Sequence, residues 1–408
     1  MLQTLADIPH SKARRNELHH RLKHLDRADR LQLLSMTLDD PYPPIRHDVA
    51  EAFQRELDWS GGHSGPSGDE IAGFLESIAV GEKPDHELTR AIGLPRQFLP
   101  DESMRSRMVA CVALEASPTP QRTVERLRPL LAGDNADLRY QTLIAVERLA
   151  GDSPETHKAV VEALDDHDPE IVVVATQIAV KYGWADLLPR FIDARARLGG
   201  EDRIQATFSV GALIDNSSLT PGALPPEARS DMIAECVDAL SHEPHTAAAI
   251  KTLARLEATE AADALVEVLG GWFTHPILKV EAAAALVELD HPRGEQHLEK
   301  ALGSRRKDAR GYALRIVGHY RIDRFFSHLV DVATTETYHA DTATLALADY
   351  GGDETDELLA QIAESHPDDE VRHLAQDALQ DPDDRRALEH LPTDFSVDPT
   401  TFDATIDR

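Results

Sequence analysis

The chain has 408 residues, 72 acidic and 42 basic, which gives a formal net charge of −30 at pH 7. Such a charge opposes binding to nucleic-acid phosphates, and the scarcity of period-two apolar alternation argues against strands. No apolar run approaches the ~18 residues of a membrane span, and the N-terminus lacks the apolar core of a signal peptide. The sequence therefore predicts a cytoplasmic protein with no membrane partner.

The acidic surplus is skewed in composition. Asp outnumbers Glu by 41 to 31, and Arg outnumbers Lys by 33 to 9. This bias resembles that of proteins from salt-loving archaea, in which carboxylates hold water and cations at the surface. At about 1 M salt the screening length is roughly 3 Å, so self-repulsion is weak. We expect a halophilic archaeal protein; an ordinary acidic protein is the alternative.

The N-terminal segment, residues 1–28, reads as a basic helix, "SKARRNELHHRLKHL". Arg14 and Arg15 make it a local reversal of charge, which favours docking onto an acidic surface of this chain or of a partner. His20 and His24 lie four residues apart and could share a metal ion. The alternative is a solvated basic face, and we assign no metal site.

From residue 29 to residue 380 a pattern recurs about every 32 residues. An apolar or neutral anchor is followed by a small residue four positions later and a bulky apolar residue eleven positions later. The small positions are Thr142, Ala175, Thr207, Ala249, Ala282, Ala313, Ala343 and Ala375. Self-similarity at this period is typical of stacked supersecondary units. It predicts an all-α solenoid of stacked antiparallel helix pairs, with about 9–11 repeats.

Each repeat reads as helix, polar turn, helix. Asp168 is a predicted cap for a second helix, with Pro169 at its first position. The pattern is irregular at 58–100 and is lengthened by an insertion near 215–231. Residues 381–408 are polar and acidic, and we expect them to be disordered.

Several turn-and-helix pieces carry a family resemblance: "PPIRHDVAEAF", "ADLRYQTLIAVERL" and "DDEVRHLAQDAL". They resemble the HEAT repeat, in the short HEAT-like form first described in phycobilisome lyases. Arg46, Arg139, Arg310 and Arg372 fall on or near the arginine of that consensus. The resemblance implies an α-α superhelix and is nearly silent on activity, because fold and function separate.

Some HEAT-like proteins are enzymes or bind DNA. The deoxyhypusine hydroxylases hold two irons with paired His and Glu, but here only His47-Asp48 resembles a ligand pair in register. We find no transferable bilin lyase motif, and the net charge disfavours a glycosylase-like grip on DNA. Cys111 and Cys236 lie in apolar helical runs and are expected to be buried thiols. We therefore predict no catalytic residue, cofactor or small-molecule substrate.

Three features are candidate protein-binding sites. They are the cationic turn Arg305, Arg306 and Lys307, the aromatic turn Trp272 and Phe273, and the N-terminal pair Arg14 and Arg15. Guanidinium groups can grip carboxylates at short range, and an exposed Trp is a favoured interface anchor. The alternatives are a solvated turn for the cations and a cap on the neighbouring repeat for the aromatics.

The leading functional hypothesis is a non-enzymatic scaffold or adaptor that binds another protein along the surface of its second helices. The family resemblance, with the inferred habitat, suggests haloarchaeal taxis or motility signalling. The alternatives are a HEAT-like enzyme, either a lyase or a metal-dependent hydroxylase, and a nucleic-acid-binding protein.

Overall fold

A computed structural model describes residues 5, 8, 10–58, 66–84, 89, 103–242, 244–272, 274–336 and 338–380. In those residues the chain forms 21 α-helices and no strand. In chain order the helices are Ser11–His24, Arg27–Thr37, Pro43–Leu57, Gly68–Ala79, Met104–Leu114, Pro120–Leu127, Ala136–Ala150, Pro154–Ala163, Pro169–Lys181, Leu188–Arg197, Gly200–Asn216, Pro226–Ala239, Thr246–Arg255, Ala262–Gly270, Pro276–Glu288, Pro292–Leu302, Lys307–His319, Phe326–Thr335, Ala340–Tyr350, Asp353–Ser365 and Asp369–Gln380.

Several helices begin at a residue whose side chain accepts a hydrogen bond from a free backbone amide of the first turn. Asp168 accepts a hydrogen bond from the amide of Glu170 at 3.0 Å, and Pro169 occupies the first helical position. Asn135 accepts from the amide of Leu138 at 2.8 Å. The predicted cap at Asp168 is therefore confirmed, and short polar side chains cap several of the described helices.

After the N-terminal helix, the helices alternate as first and second members of ten pairs joined by turns. Within each unit, apart from helix Gly200–Asn216, a second helix packs on its own first helix and on the second helix of a neighbouring pair. The successive second helices Pro276–Glu288, Lys307–His319 and Ala340–Tyr350 show this arrangement. The chain is therefore an all-α solenoid, as predicted. The described residues divide into two compact units between Ser209 and Val210, here called unit 1 and unit 2.

The small residues of the repeat lie where neighbouring helices meet. All eight predicted small positions are fully buried, at 0% exposure: Thr142, Ala175, Thr207, Ala249, Ala282, Ala313, Ala343 and Ala375. Two neighbouring helices approach closely at Gly318, where an added Cβ would collide with the backbone of Ala346. The predicted thiols Cys111 and Cys236 are also buried, and neither forms a disulfide.

The N-terminal helix Ser11–His24 continues the stack in unit 1, because it packs on the second helix Pro43–Leu57. Arg14 donates to the carbonyl oxygen of Ile8 at 3.0 Å and to both carboxylate oxygens of Asp40 at 3.1 and 3.2 Å. The sequence left open whether the N-terminal helix docks on this chain or on a partner. The structure shows that it docks on this chain.

The irregular stretch 58–100 holds the helix Gly68–Ala79, and about half of it lies outside the described residues. The insertion near 215–231 contains a short 3₁₀ turn, Pro221–Ala223. The tail, residues 381–408, lies wholly outside the described residues. Among the helices that are described, none has the length and apolar character needed to cross a membrane.

Candidate protein-binding surface

Three successive turns of unit 2 join a first helix to a second helix, at residues 271–275, 303–306 and 336–339. The second helices that follow them pack side by side and run in the same direction, so their N-termini share one edge. Neighbouring helix axes lie about 10 Å apart, so the three turns span roughly 20 Å. We call this region the turn edge. Its members are Trp272, Arg305, Arg306, Lys307 and Tyr338.

Two large apolar side chains of the turn edge face solvent. Trp272 is 90% exposed and Tyr338 is 53% exposed, the two large apolar side chains that stand out as exposed in the described chain. Phe273, the second predicted aromatic, lies outside the described residues. Exposing an indole to water is unfavourable by the hydrophobic effect, and Trp and Tyr are enriched at the energetic centres of protein interfaces.

Cations lie between the two aromatic turns. Arg305, Arg306 and Lys307 are all exposed. Within the described part of the chain neither arginine makes an ion pair, and the Nζ atom of Lys307 lies 3.9 Å from the ring centroid of Tyr338. The cations also stand at the start of helix Lys307–His319, whose positive end disfavours them. A bound carboxylate would supply the missing ion-pair partner and would offset the repulsion between these cations and the positive end of the helix.

Many other arginines of the chain are engaged within the array. Arg310 binds Glu336, Arg315 binds Asp349 and Arg229 binds Glu260, each with a partner 26 to 34 residues away. These pairs connect neighbouring repeats. The arginines of the turn edge therefore differ from them by having no carboxylate in the described chain.

Tyr338 is presented by a turn that is fixed on the neighbouring helix. Both carboxylate oxygens of Glu336 accept hydrogen bonds from Arg310, at 2.7 and 2.8 Å, and these bonds lower the pKa of Glu336. His339 has a left-handed backbone, with φ of 68°. A Cβ at Gly311 would lie 3.3 Å from the His339 ring, so that ring packs directly on the glycine.

The corresponding turns of unit 1 carry a different charge. They contain Asp39, Asp40, Asp134, Asp165, Asp166 and Asp168. Arg15, the second predicted N-terminal binding residue, donates to both carboxylate oxygens of Asp48 at 2.7 and 2.9 Å. Arg14 is only 11% exposed beside Asp40. The structure therefore places both arginines in ion pairs of unit 1.

The sites weighed for enzyme chemistry have ordinary contacts. His47 forms a surface pair with Glu51 at 3.1 Å. Among the described residues no group of three or more His, Cys, Asp or Glu is arranged to hold a metal ion. A surface pocket in unit 1 is lined by Tyr140, Gln141 and Asp168 among others.

Comparison with known proteins identifies no family for this chain. No family model and no curated protein matches the chain. Among solved structures, a chain from the structure of the Pds5–Scc1 complex, reported for its implications for cohesin function, matches at 14% identity. The match covers 92% of this chain and 69% of that chain, with a TM-score of 0.28. At that score the likeness carries no argument, and the fold rests on the stacked helix pairs themselves.

Proposed function

We propose that this chain is a non-enzymatic, HEAT-like scaffold that binds another protein along the turn edge of unit 2. The observation that carries the proposal is the position of Trp272, almost fully exposed, on the same edge as two arginines without carboxylate partners. Trp, Tyr and Arg are the residue types that dominate binding energy at protein interfaces.

The edge favours a partner segment that offers carboxylates and apolar side chains. Paired guanidinium groups bind carboxylates with defined geometry, so the contact keeps specificity when salt screens longer-range attraction. The turns are held by packed helices, and such a preorganised surface loses little conformational entropy on binding. The rest of the described surface is predominantly acidic, which directs an acidic segment towards this edge.

The finer role that we propose is an adaptor in haloarchaeal taxis or motility signalling. It rests on the HEAT-like sequence resemblance and on the acidic, lysine-poor composition. The same composition supports a cytoplasmic location.

The test is affinity purification from the native host at its own salt concentration, followed by mass spectrometry. The wild-type chain is compared with Trp272→Ala and with the triple variant Arg305→Glu, Arg306→Glu, Lys307→Glu. A charge-matched control changes exposed cations elsewhere: Lys158→Glu, Arg293→Glu, Lys300→Glu. We expect the control to retain the partners of the wild type and both edge variants to lose them. Full retention by both edge variants would refute the proposal.

A further inference from the structure

We propose that residues 381–408 of this same chain bind the turn edge and occupy it until a partner displaces them. The inference rests on the proposed function, because it concerns the same surface. It adds an intramolecular occupant, so that partner binding becomes a competition.

Charge is the first argument. Residues 381–408 contain eight acidic and three basic side chains, and Asp383 and Asp384 form part of an acidic run at the start of the segment. Arg305 and Arg306 are exposed cations without a carboxylate partner in the described chain. The acidic segment therefore complements the turn edge, whereas the acidic turns of unit 1 would repel it.

The aromatic residues of the segment are the second argument. Phe395 follows Asp394, and Phe402 precedes Asp403, so each ring has a carboxylate beside it. The two rings are seven residues apart, which is roughly 23 Å in an extended chain. The two outer turns of the edge, which carry Trp272 and Tyr338, are separated by two helix-to-helix steps of about 10 Å each. Two acid–aromatic pairs thus match two aromatic turns with cations between them.

The segment is also long enough to reach the turn edge. It starts after Gln380, the last residue of a second helix in unit 2, at the opposite end of that helix from the turns. The path runs back along 12 helical residues, about 18 Å. It then crosses three helix spacings of about 10 Å, for a total of roughly 50 Å. The 28 residues of the segment extend to about 90 Å.

A weak contact is enough for such an occupant. A tethered segment has an effective concentration in the millimolar range, so a site of millimolar affinity is substantially filled within one chain. A partner that binds the same surface more tightly would release the segment. In the absence of a partner, the segment would cover Trp272 and keep copies of the chain from associating through it.

The experiment follows Trp272 in the purified full chain with no partner present. Trp59 and Trp184 are changed to Phe, which leaves Trp272 as the single indole. Acrylamide quenching is then compared between this background and a segment variant carrying Asp394→Asn, Phe395→Ala, Phe402→Ala and Asp403→Asn. A control variant carries Thr393→Ala, Ser396→Ala, Thr400→Ala and Thr401→Ala. Circular dichroism checks that helical content is unchanged in each.

We expect the quenching constant of Trp272 to rise at least twofold in the segment variant and to stay unchanged in the control variant. Combining Arg305→Glu, Arg306→Glu and Lys307→Glu with the segment variant should add no further increase, because the contact is already lost. Equal quenching in the background and the segment variant would overturn the inference. That result would leave the proposed function intact, because partner capture is measured separately with the edge variants.

Discussion

Arg139 and Asp166 form a bidentate ion pair between consecutive helix pairs of unit 1. The Nε and Nη2 atoms of Arg139 each lie 2.8 Å from a carboxylate oxygen of Asp166, while Nη1 donates to the carbonyl oxygen of Gly133 at 2.9 Å. One guanidinium therefore closes the turn of its own helix pair and binds the turn of the next. Both side chains are nearly buried, at 4% and 9% exposure.

The same arrangement recurs at other repeats. Arg14 donates to Ile8 and Asp40, and Arg310 donates to Leu302 and Glu336. Arg46 and Arg372 make only the hydrogen bond to the backbone of their own turn. They donate to the carbonyl oxygens of Asp40 and His366 respectively. The arginine of the repeat thus fixes the turn and, where an acid stands in the next turn, the spacing between pairs.

Removing this arginine should destabilise the stack. In Arg139→Met the carboxylate of Asp166 would stay buried without its partner, at a cost of about 3 kcal/mol in the free energy of unfolding. The matched control is Arg128→Met, because Arg128 pairs with Glu162 across the same repeats at 3.3 Å but in an exposed position. Urea unfolding should show a change within about 0.5 kcal/mol for the control. Equal effects of the two substitutions would contradict the role assigned to Arg139.

The pair should also show a defined pH dependence. Burial alone would raise the pKa of Asp166, but hydrogen bonds from Arg139 and the amide of Asp168 outweigh it and hold the pKa below the ordinary value of 3.8. Such a group contributes stability that is fully present above its unfolded pKa and is lost as pH falls through its folded pKa. The free energy of unfolding of the wild type should therefore exceed that of Asp166→Asn by the same amount at pH 7 and at pH 5. The gap should narrow only below about pH 4, and narrowing between pH 7 and pH 5 would be inconsistent with this pairing.

At Gly318 we predict that substitution by alanine destabilises the chain, which is the opposite of its usual effect in a helix. Alanine normally stabilises a helix interior relative to glycine by about 1 kcal/mol. At Gly318 the new Cβ would meet the backbone of Ala346, so Gly318→Ala should destabilise by about 2–3 kcal/mol. Gly270→Ala is the control, because nothing lies within 4 Å of a Cβ there. Thermal unfolding distinguishes the two, and a stabilised Gly318→Ala chain would show that the helices are not in close contact.

Salt should stabilise the chain if the halophilic interpretation holds. With a net charge of −30, self-repulsion favours unfolding at low ionic strength and is screened at high ionic strength. We expect the Tm to rise by several degrees between 0.1 M and 2 M KCl, as measured by circular dichroism. A Tm that is flat or falls over this range would argue for an ordinary acidic protein.

The parts of the structure that repeat could be predicted from the sequence. The small residues at Ala249 and Ala313 repeat because adjacent helices must approach closely there, and both are fully buried. Arg139 and Arg310 repeat because the same turn geometry needs a donor. The same packing and hydrogen-bonding requirements recur in each repeat, so the same residue types recur in the sequence. The architecture could therefore be predicted.

The candidate binding surface could be predicted only in part from the sequence, because its residues depart from the repeat pattern. The exposed position of Trp272 in a long turn was suggested by its flanking glycine and proline. Tyr338 was missed: Tyr320 and Tyr350 occupy the bulky repeat position, and nothing in composition separates them from a tyrosine in a turn. The fate of Arg14 and Arg15 depended on acids 26 and 33 residues away, so the sequence alone could not choose between pairing within the chain and binding a partner.

Site-specific photo-crosslinking tests the central claim most directly. A benzophenone amino acid is placed at Trp272 in one chain and at Arg293, exposed on helix Pro292–Leu302, in another. Both are irradiated in the native host at its own salt concentration, and the crosslinked peptides are sequenced by mass spectrometry. We predict adducts with a second polypeptide at position 272 and few at position 293. Adducts at 293 with none at 272 would contradict it.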